Sequence, residues 1–151
     1  MGALNQSLAF RALDRHVIDG RADAPAFVHG EQRYTYAELL HETSALAGGL
    51  RSLGIGPDHL VALDASDRRT WVFSILALVR LGARVDDDAV TRIVDRVVVS
   101  EGEEFDLETL RLAGRTDAAP APAEDPDDYA PDLERRFGDV LTILLRGGTI
   151  I

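Results

Sequence analysis

Cysteine is absent from this 151-residue chain, which excludes disulfides, thiolate metal ligands and thiol redox chemistry. Lysine is absent as well. The 16 basic residues are all arginine, set against 26 aspartates and glutamates, so no ammonium side chain is available to steady a developing negative charge. Abundant arginine, alanine and glycine without lysine is also what a GC-rich coding sequence produces, but the chemical consequence is the same. The net charge of −10 and pI near 4.7 leave no basic patch for a phosphate backbone, because the arginines are dispersed among more numerous carboxylates. Nucleic acid is excluded as a partner, and anionic membrane surfaces are disfavoured. Long hydrophobic runs are missing too: the longest apolar stretch, Trp71 to Val79, is interrupted by Ser74 and is far too short to span a bilayer. No basic start followed by an apolar run and a small-residue cleavage site opens the chain. These absences predict a soluble, untargeted, cytoplasmic protein. Its length suits one domain burying about two-thirds of its unfolded surface.

What is present is an alternation of helical and strand periods. Leu4, Leu8, Phe10, Leu13, Val17 and Ile18 recur at helical spacing and predict an amphipathic helix over 3–18, ending at Gly20. Pro25–Val28 and Arg33–Thr35 flank the turn-like His29-Gly30-Glu31-Gln32 and predict a β-hairpin. Thr35 followed by Glu38 is a capping box that starts the next helix near Tyr36. Leu39, Thr43, Leu46, Leu50 and Leu53 give that helix one buried stripe, and Gly54 stops it. Leu60–Leu63 reads as a strand buried on both faces. Ser66 or Asp67 can cap a second helix running to Leu81, apolar on nearly every side, with Gly82 as its stop. Asp86-Asp87-Asp88 suits the positive end of a short helix through Ile93. Val97–Val99 predicts a further buried strand, and Asp106 caps a helix carrying Leu107, Leu110 and Leu112. From Thr116 to Asp132 the composition turns acidic, with four of the six prolines between Pro120 and Pro131, which predicts a linker or disordered segment.

Candidate functional residues compete with plainer roles. Asp64 and Ser66 are the best-placed for chemistry, because ligands of open α/β sheets collect at the carboxyl ends of strands; capping the next helix is the more economical role. Gly147-Gly148-Thr149 could cradle phosphate, yet no lysine follows and no helix can follow, so a turn before a final strand explains it. Asp86-Asp87-Asp88 could offer hard oxygens to Mg or Ca, but consecutive side chains point apart. His16, His29, His41 and His59 fall in four different elements, none with a partner at triad or metal-site spacing. Trp71 and Tyr36 could stack on an adenine or acyl group, and at helix starts serve more often as core. No catalytic, cofactor-binding or metal-binding residue is assigned, and no cofactor.

Ala24-Pro25-Ala26-Phe27-Val28, then Tyr34-Thr35-Tyr36-Ala37-Glu38-Leu39, then Leu53-Gly54-Ile55-Gly56-Pro57-Asp58-His59-Leu60-Val61-Ala62-Leu63, then Leu78-Val79-Arg80-Leu81-Gly82-Ala83 closely resembles, in this order, the opening of the adenylate-forming enzymes, the acyl-CoA synthetases and peptide-synthetase adenylation domains. The resemblance implies their first N-terminal subdomain, an α/β layer with a mostly parallel sheet and flanking helices. The family's Ser/Thr/Gly-rich phosphate loop ending in Pro-Lys is not found between Val85 and Ile151, and the lysine of its mobile C-terminal domain has no counterpart here. Phe137-Gly138-Asp139-Val140 and Leu144–Ile151 resemble a later stretch beyond that loop, which implies a missing internal block; a helix-to-strand turn around Gly-Gly-Thr accounts for the same residues.

The expected organisation is therefore an α/β subdomain over 1–114, an acidic Pro-rich linker over 115–132 and a short helix/strand segment over 133–151. The expected function is that of a truncated, non-catalytic remnant of an AMP-dependent acyl-CoA synthetase or ligase, acting as a binding or assembly module. The alternatives are a fragment or subunit of a split adenylating ligase completed by another chain, and a small enzyme with new chemistry. In the resembled enzymes this subdomain packs on a second one, so a homodimer or a protein partner is expected at that junction.

Overall fold

A computed structural model describes residues 6–151. In chain order the elements are two π-helical turns, Phe10–Asp14 and Val17–Arg21, then β1 (Pro25–His29), β2 (Gln32–Thr35), α1 (Tyr36–Arg51), β3 (Leu60–Asp64), α2 (Arg68–Leu81), β4 (Arg84–Val85), β5 (Thr91–Val94), β6 (Val97–Ser100), β7 (Glu103–Asp106), α3 (Leu107–Gly114), α4 (Tyr129–Arg136) and α5 (Leu141–Leu145). They cluster into two compact units, Met1–His41 with Ala121–Ile151, and Glu42–Pro120.

In the first unit the predicted amphipathic helix is present from Leu8 on, with Leu8, Ala12 and Leu13 buried; its first expected residues, 3–5, lie outside the described residues. Gly20 adopts a φ of 88°, a conformation glycine takes without a Cβ penalty, and it breaks the helical path where expected. The hairpin forms with β1 antiparallel to β2. The capping box closes reciprocally: Glu38 N–H donates to Thr35 Oγ1 at 3.1 Å and Thr35 N–H to Glu38 Oε1 at 2.9 Å. At the other end of the chain, Ile150 lies parallel beside Phe27, with its N–H on Ala26 O at 2.8 Å and its carbonyl accepting from Val28 N at 2.9 Å.

Four side chains from the N-terminal part hold carbonyls at and just after the end of α5. The His16 ring Nε2 lies 2.6 Å from Leu144 O, Arg15 donates to Leu145 O at 2.9 Å, Arg21 to Gly147 O at 2.8 Å, and Tyr36 Oη to Gly148 O at 2.6 Å. Leu145 O is a last-turn carbonyl of the kind a helix end leaves without an intrahelical partner, Leu144 O also accepts from Gly147 N, and Gly147 O and Gly148 O belong to the turn past the helix. α4 begins at Tyr129, which is wholly buried, four residues before the expected terminal segment; one aromatic in a polar stretch is too weak a periodic signal to place it.

The second unit carries the five-stranded sheet, in the order β4-β3-β5-β6-β7. β3 is parallel to both β4 and β5, while β5-β6 and β6-β7 are antiparallel hairpins. The α/β class with helices flanking a sheet stands, and the sheet is partly parallel rather than mostly so. Val61, Ala62 and Leu63 are buried as the apolar run predicts, but Leu60, the first residue of that run, is 50% exposed at the strand's start. Asp67 caps α2, with its carboxylate accepting from Thr70 N at 3.0 Å, and Gly82 ends the helix at φ 74°. Val72, Phe73, Ile75, Leu76, Leu78 and Val79 are all buried along α2, each contributing about 1.5–3 kcal/mol by area removed from water.

The helix expected from Asp86 through Ile93 is not formed. Asp86 closes a turn onto the Asp88 and Ala89 amides, and Thr91–Val94 is strand β5. Its β-branched residues fit a pleated surface, and its pairing with β3 satisfies backbone groups that a short isolated helix would leave open. β7 was not expected, because Glu103-Glu104-Phe105-Asp106 has one apolar residue and is a sheet edge. α3 forms under its Asp106 cap, with Leu107 and Leu110 buried, but Leu112 is 48% exposed. Residues 117–128 carry no helix or strand. The part in this unit is nonetheless fixed: Ala119 N donates to Ser44 O at 3.0 Å, and the buried Arg80 donates through Nε to Ala119 O at 2.7 Å.

Candidate functional site

The carboxyl ends of β3 and β5 open toward the starts of α2 and α3, and a cleft of about 200 Å³ lies there, within the 42–120 unit. Leu46, Phe73 and Leu107 give it an apolar floor; all three are buried. Arg69, Arg96 and Arg111, with Asp67 and Glu108, are the charged residues of its lining. Each polar residue is brought by local chain logic. Asp67 is at the cleft because it caps α2, and Arg69 is in that helix's first turn. Arg96 sits in the two-residue connection between β5 and β6, where Asp95 takes a φ of 51°, and Glu108 and Arg111 lie one turn apart on α3.

Arg111 is the electrostatic anchor. It pairs with Glu108 through two contacts and with Glu42 at 2.5 Å, with its side chain 8% exposed. The hydrogen bond from Arg111 holds the Glu108 carboxyl below its usual range, and the same bond raises Arg111. Asp67 accepts from both the amide and the hydroxyl of Thr70 at 3.0 Å. Arg69 lies over the Phe73 ring, 5.1 Å from its centroid, a cation–π arrangement. Arg96 is exposed, and its backbone carbonyl accepts from Leu107 N at 2.8 Å, which ties the β5–β6 turn to the start of α3.

Of the positions singled out in the sequence, Ser66 lies beside this cleft with a role other than capping: its amide and hydroxyl donate to Asp95 Oδ1 at 3.0 and 2.9 Å. Those bonds hold the Asp95 carboxyl below its usual range. Asp64 ends β3, and its carbonyl accepts from Asp95 N. Asp86, Asp87 and Asp88 occupy the turn before β5, and among the described residues no group of three or more His, Asp or Glu is placed to hold a metal. His16 is buried against the Tyr36 ring, 4.8 Å between centroids, and burial lowers its pKa from 6.5. His59 accepts from Gly56 N, while His29 and His41 are exposed. Tyr36 is core, and Trp71 is half-buried in the first turn of α2. The Gly147 and Gly148 amides donate to Leu144 O and Ile143 O, both at 2.9 Å, so they face their own helix end and not an anion; Gly147-Gly148-Thr149 is the turn before Ile150. The cleft arginines carry no spacing signal, since Arg69, Arg96 and Arg111 come from three separate elements.

Residues 14–85 match the AMP-binding enzyme family. An uncharacterised protein of Pseudomonas aeruginosa is 35% identical over 88 residues, 54% of this chain and 14% of that protein. Feruloyl-CoA synthase of an Amycolatopsis species is 29% identical over 138 residues, 83% of this chain and 28% of the synthase. The chain therefore spans well under a third of either relative. Among solved structures, an artificially fused adenylation–carrier di-domain of Klebsiella oxytoca superposes with a TM-score of 0.64 at 20% identity, over 82% of this chain and 27% of that one, a likeness of fold. No helix among the described residues is long and apolar enough to cross a membrane.

Proposed function

We propose, for a chain whose residues 14–85 match the AMP-binding enzyme family, a non-catalytic role as a binding or assembly module built on a fragment of that domain. One observation carries the reading. The 151 residues contain no lysine, every basic residue being arginine, and no Ser/Thr/Gly-rich loop ending in Pro-Lys occurs in them. A triphosphate reacting with a carboxylate develops negative charge that must be met by placed donors and a cation. Arg111, the most buried guanidinium of the cleft, is already committed to Glu42 and Glu108. As a module the protein would act through association, with a second copy or another protein covering the surface that this subdomain turns toward its neighbour in the resembled enzymes.

Carboxylate-dependent pyrophosphate exchange, with calorimetry against ATP, tests the reading on the 151-residue protein. No exchange and no ATP binding at physiological concentration are expected; a clear carboxylate-dependent signal ends the non-catalytic reading. The alternative, a part of an adenylating ligase whose remaining machinery lies on other residues, predicts exchange once those parts are added back. Sedimentation of the purified chain measures self-association directly.

A further inference from the structure

The carbonyls at the end of α5 are gripped by four donors, one of which can change its charge near neutral pH. Arg15, Arg21 and Tyr36 donate to Leu145 O, Gly147 O and Gly148 O, and the His16 ring to Leu144 O at 2.6 Å. A carbonyl only accepts, so Nε2 carries the ring proton and Nδ1 is left as the basic nitrogen. Guanidinium groups stay charged, and burial raises the Tyr36 phenol above its usual range, which keeps it a donor. His16 is the member of this set that titrates near neutrality. The same segment then reaches β1. Thr149 Oγ1 donates to Pro25 O at 2.8 Å, Ile150 N–H to Ala26 O at 2.8 Å and Val28 N–H to Ile150 O at 2.9 Å. Leu144 and Ile150 are wholly buried, and the turn between them sits close on the cluster: a Cβ on Gly147 would lie 2.5 Å from an Arg21 guanidinium nitrogen and 3.4 Å from His16 Cε1. Residues 144–151 thus form one strap, with His16 beneath it.

A second ring proton on His16 is poorly accommodated under the closed strap. The residue is 6% exposed and its ring packs on that of Tyr36. Burial opposes the imidazolium, the Leu144 carbonyl favours it, the charges of Arg15 and Arg21 oppose it, and Asp19 is the carboxylate in its favour. Arg146, the strap's one charged side chain, is exposed. The balance holds the folded pKa below 6.5, whereas a ring freed from the strap returns to the ordinary value. We propose that residues 144–151 are a pH-sensitive strap, closed over neutral His16 and released from β1 when His16 takes up a proton. Release is favoured as pH falls because the open form binds the proton more readily. It leaves the Ala26 carbonyl and the Val28 amide without their strand partner, an edge to which another extended chain can add. The strap is independent of whether the chain has lost adenylation.

The test is hydrogen–deuterium exchange read by NMR on the 151-residue protein, from about pH 7.5 to about pH 5, across the histidine range, with each rate divided by the intrinsic rate at that pH. The Val28 and Ile150 amides report the strap, and amides within α1 report unfolding of the body. Protection at Val28 and Ile150 is expected to fall by up to about tenfold per pH unit below 6.5, as uptake of one proton per opening requires, while α1 keeps its own. His16→Gln retains a donor for Leu144 O without the titration, so the ratio of strap to α1 protection should no longer depend on pH. Tyr36→Phe removes one grip and leaves the imidazole, so it should loosen the strap by the same factor at every pH. The His16 ring resonances of the parent protein supply a measurement that needs no variant. A ring titration at or above 6.5 in the folded protein, loss of strap and α1 protection together, or an unchanged pH dependence in His16→Gln overturns the proposal. A positive pyrophosphate exchange would end the non-catalytic reading and leave the strap standing.

Discussion

Replacing Gly49 by alanine sets two effects of opposite sign against each other. Gly49 is interior to α1, where alanine is favoured over glycine by about 1 kcal/mol on helix propensity, so a sequence-based choice would make this substitution to stabilise the protein. Packing opposes it. A Cβ built on Gly49 would lie 2.7 Å from the Leu110 carbonyl carbon and 2.9 Å from Leu110 Cβ, against the roughly 3.5–4.0 Å of an ordinary carbon contact. Backbone cannot swing aside as a long side chain can, so α1 and α3 would have to separate. Gly114 meets α1 from the other direction, and a Cβ there would lie 2.8 Å from both the Ala45 carbonyl carbon and Gly49 N. Overpacking of this kind costs about 1–3 kcal/mol and at times more. With obstruction by backbone we take the upper end, so the net expectation is a loss of about 2 kcal/mol once propensity is deducted. For a chain of this size that lowers Tm by roughly 4–8 °C. Denaturant melts on Gly49→Ala, Gly114→Ala and the double variant measure it, and the double variant should lose less than the sum because one separation relieves both clashes. Gly56→Ala is the control: its nearest neighbour, His59 Nδ1, is 3.8 Å away, and it should change stability by less than about 0.5 kcal/mol. A Gly49→Ala protein more stable than the parent would refute the close helix crossing.

Thr35→Ala should cost about 1 kcal/mol through the lost capping box, and Leu46→Ala, at a position 1% exposed, about 2–5 kcal/mol; an unchanged denaturation midpoint for Leu46→Ala would mean that this stripe does not pack. Arg111→Ala should cost about 3 kcal/mol, because the half-buried Glu42 would lose its closest guanidinium partner and keep the more distant, more exposed Arg115. Arg111→Ala/Glu42→Gln should recover part of that loss in the same melts. Burial holds the His16 pKa below 6.5, so the unfolded chain binds the proton more readily. The stability contributed by neutral His16 is present above pH 6.5 and is lost as pH falls from there through the lowered folded value. His16→Gln should flatten that part of the stability–pH curve, and an identical slope in the variant would place the titration elsewhere.

Local chemistry explains why so many elements are legible in the residue order alone. The Thr35–Glu38 box, the Asp67 and Asp106 caps and the glycines at 20 and 82 act through atoms within a few residues of themselves, and each works in the folded protein as its spacing requires. The apolar run at Leu60–Leu63 foretells the strand and the burial of Val61, Ala62 and Leu63, though not the exposure of Leu60. Legibility fails where the deciding partner is remote. Thr91–Val94 is a strand because β3, in a distant part of the sequence, supplies its backbone partners, a long-range pairing that outweighs the helix-start signal of three aspartates. Tyr129 is buried among polar neighbours, and no period announces one residue.

The amino-acid sequence by itself determined the chemistry that these residues lack, the alternation of helices and strands, and the family resemblance across Ala24–Ala83, because each is written in residue types and short spacings. Only the tertiary structure decided that two of the pairings in the five-stranded sheet are antiparallel, that Gly49 and Gly114 let α1 and α3 touch backbone to backbone, and that Arg69, Arg96 and Arg111 face one cleft. Those three arginines sit on elements whose meeting depends on the twist and order of a sheet. A sum of long-range packing terms has no local spacing by which it could be read.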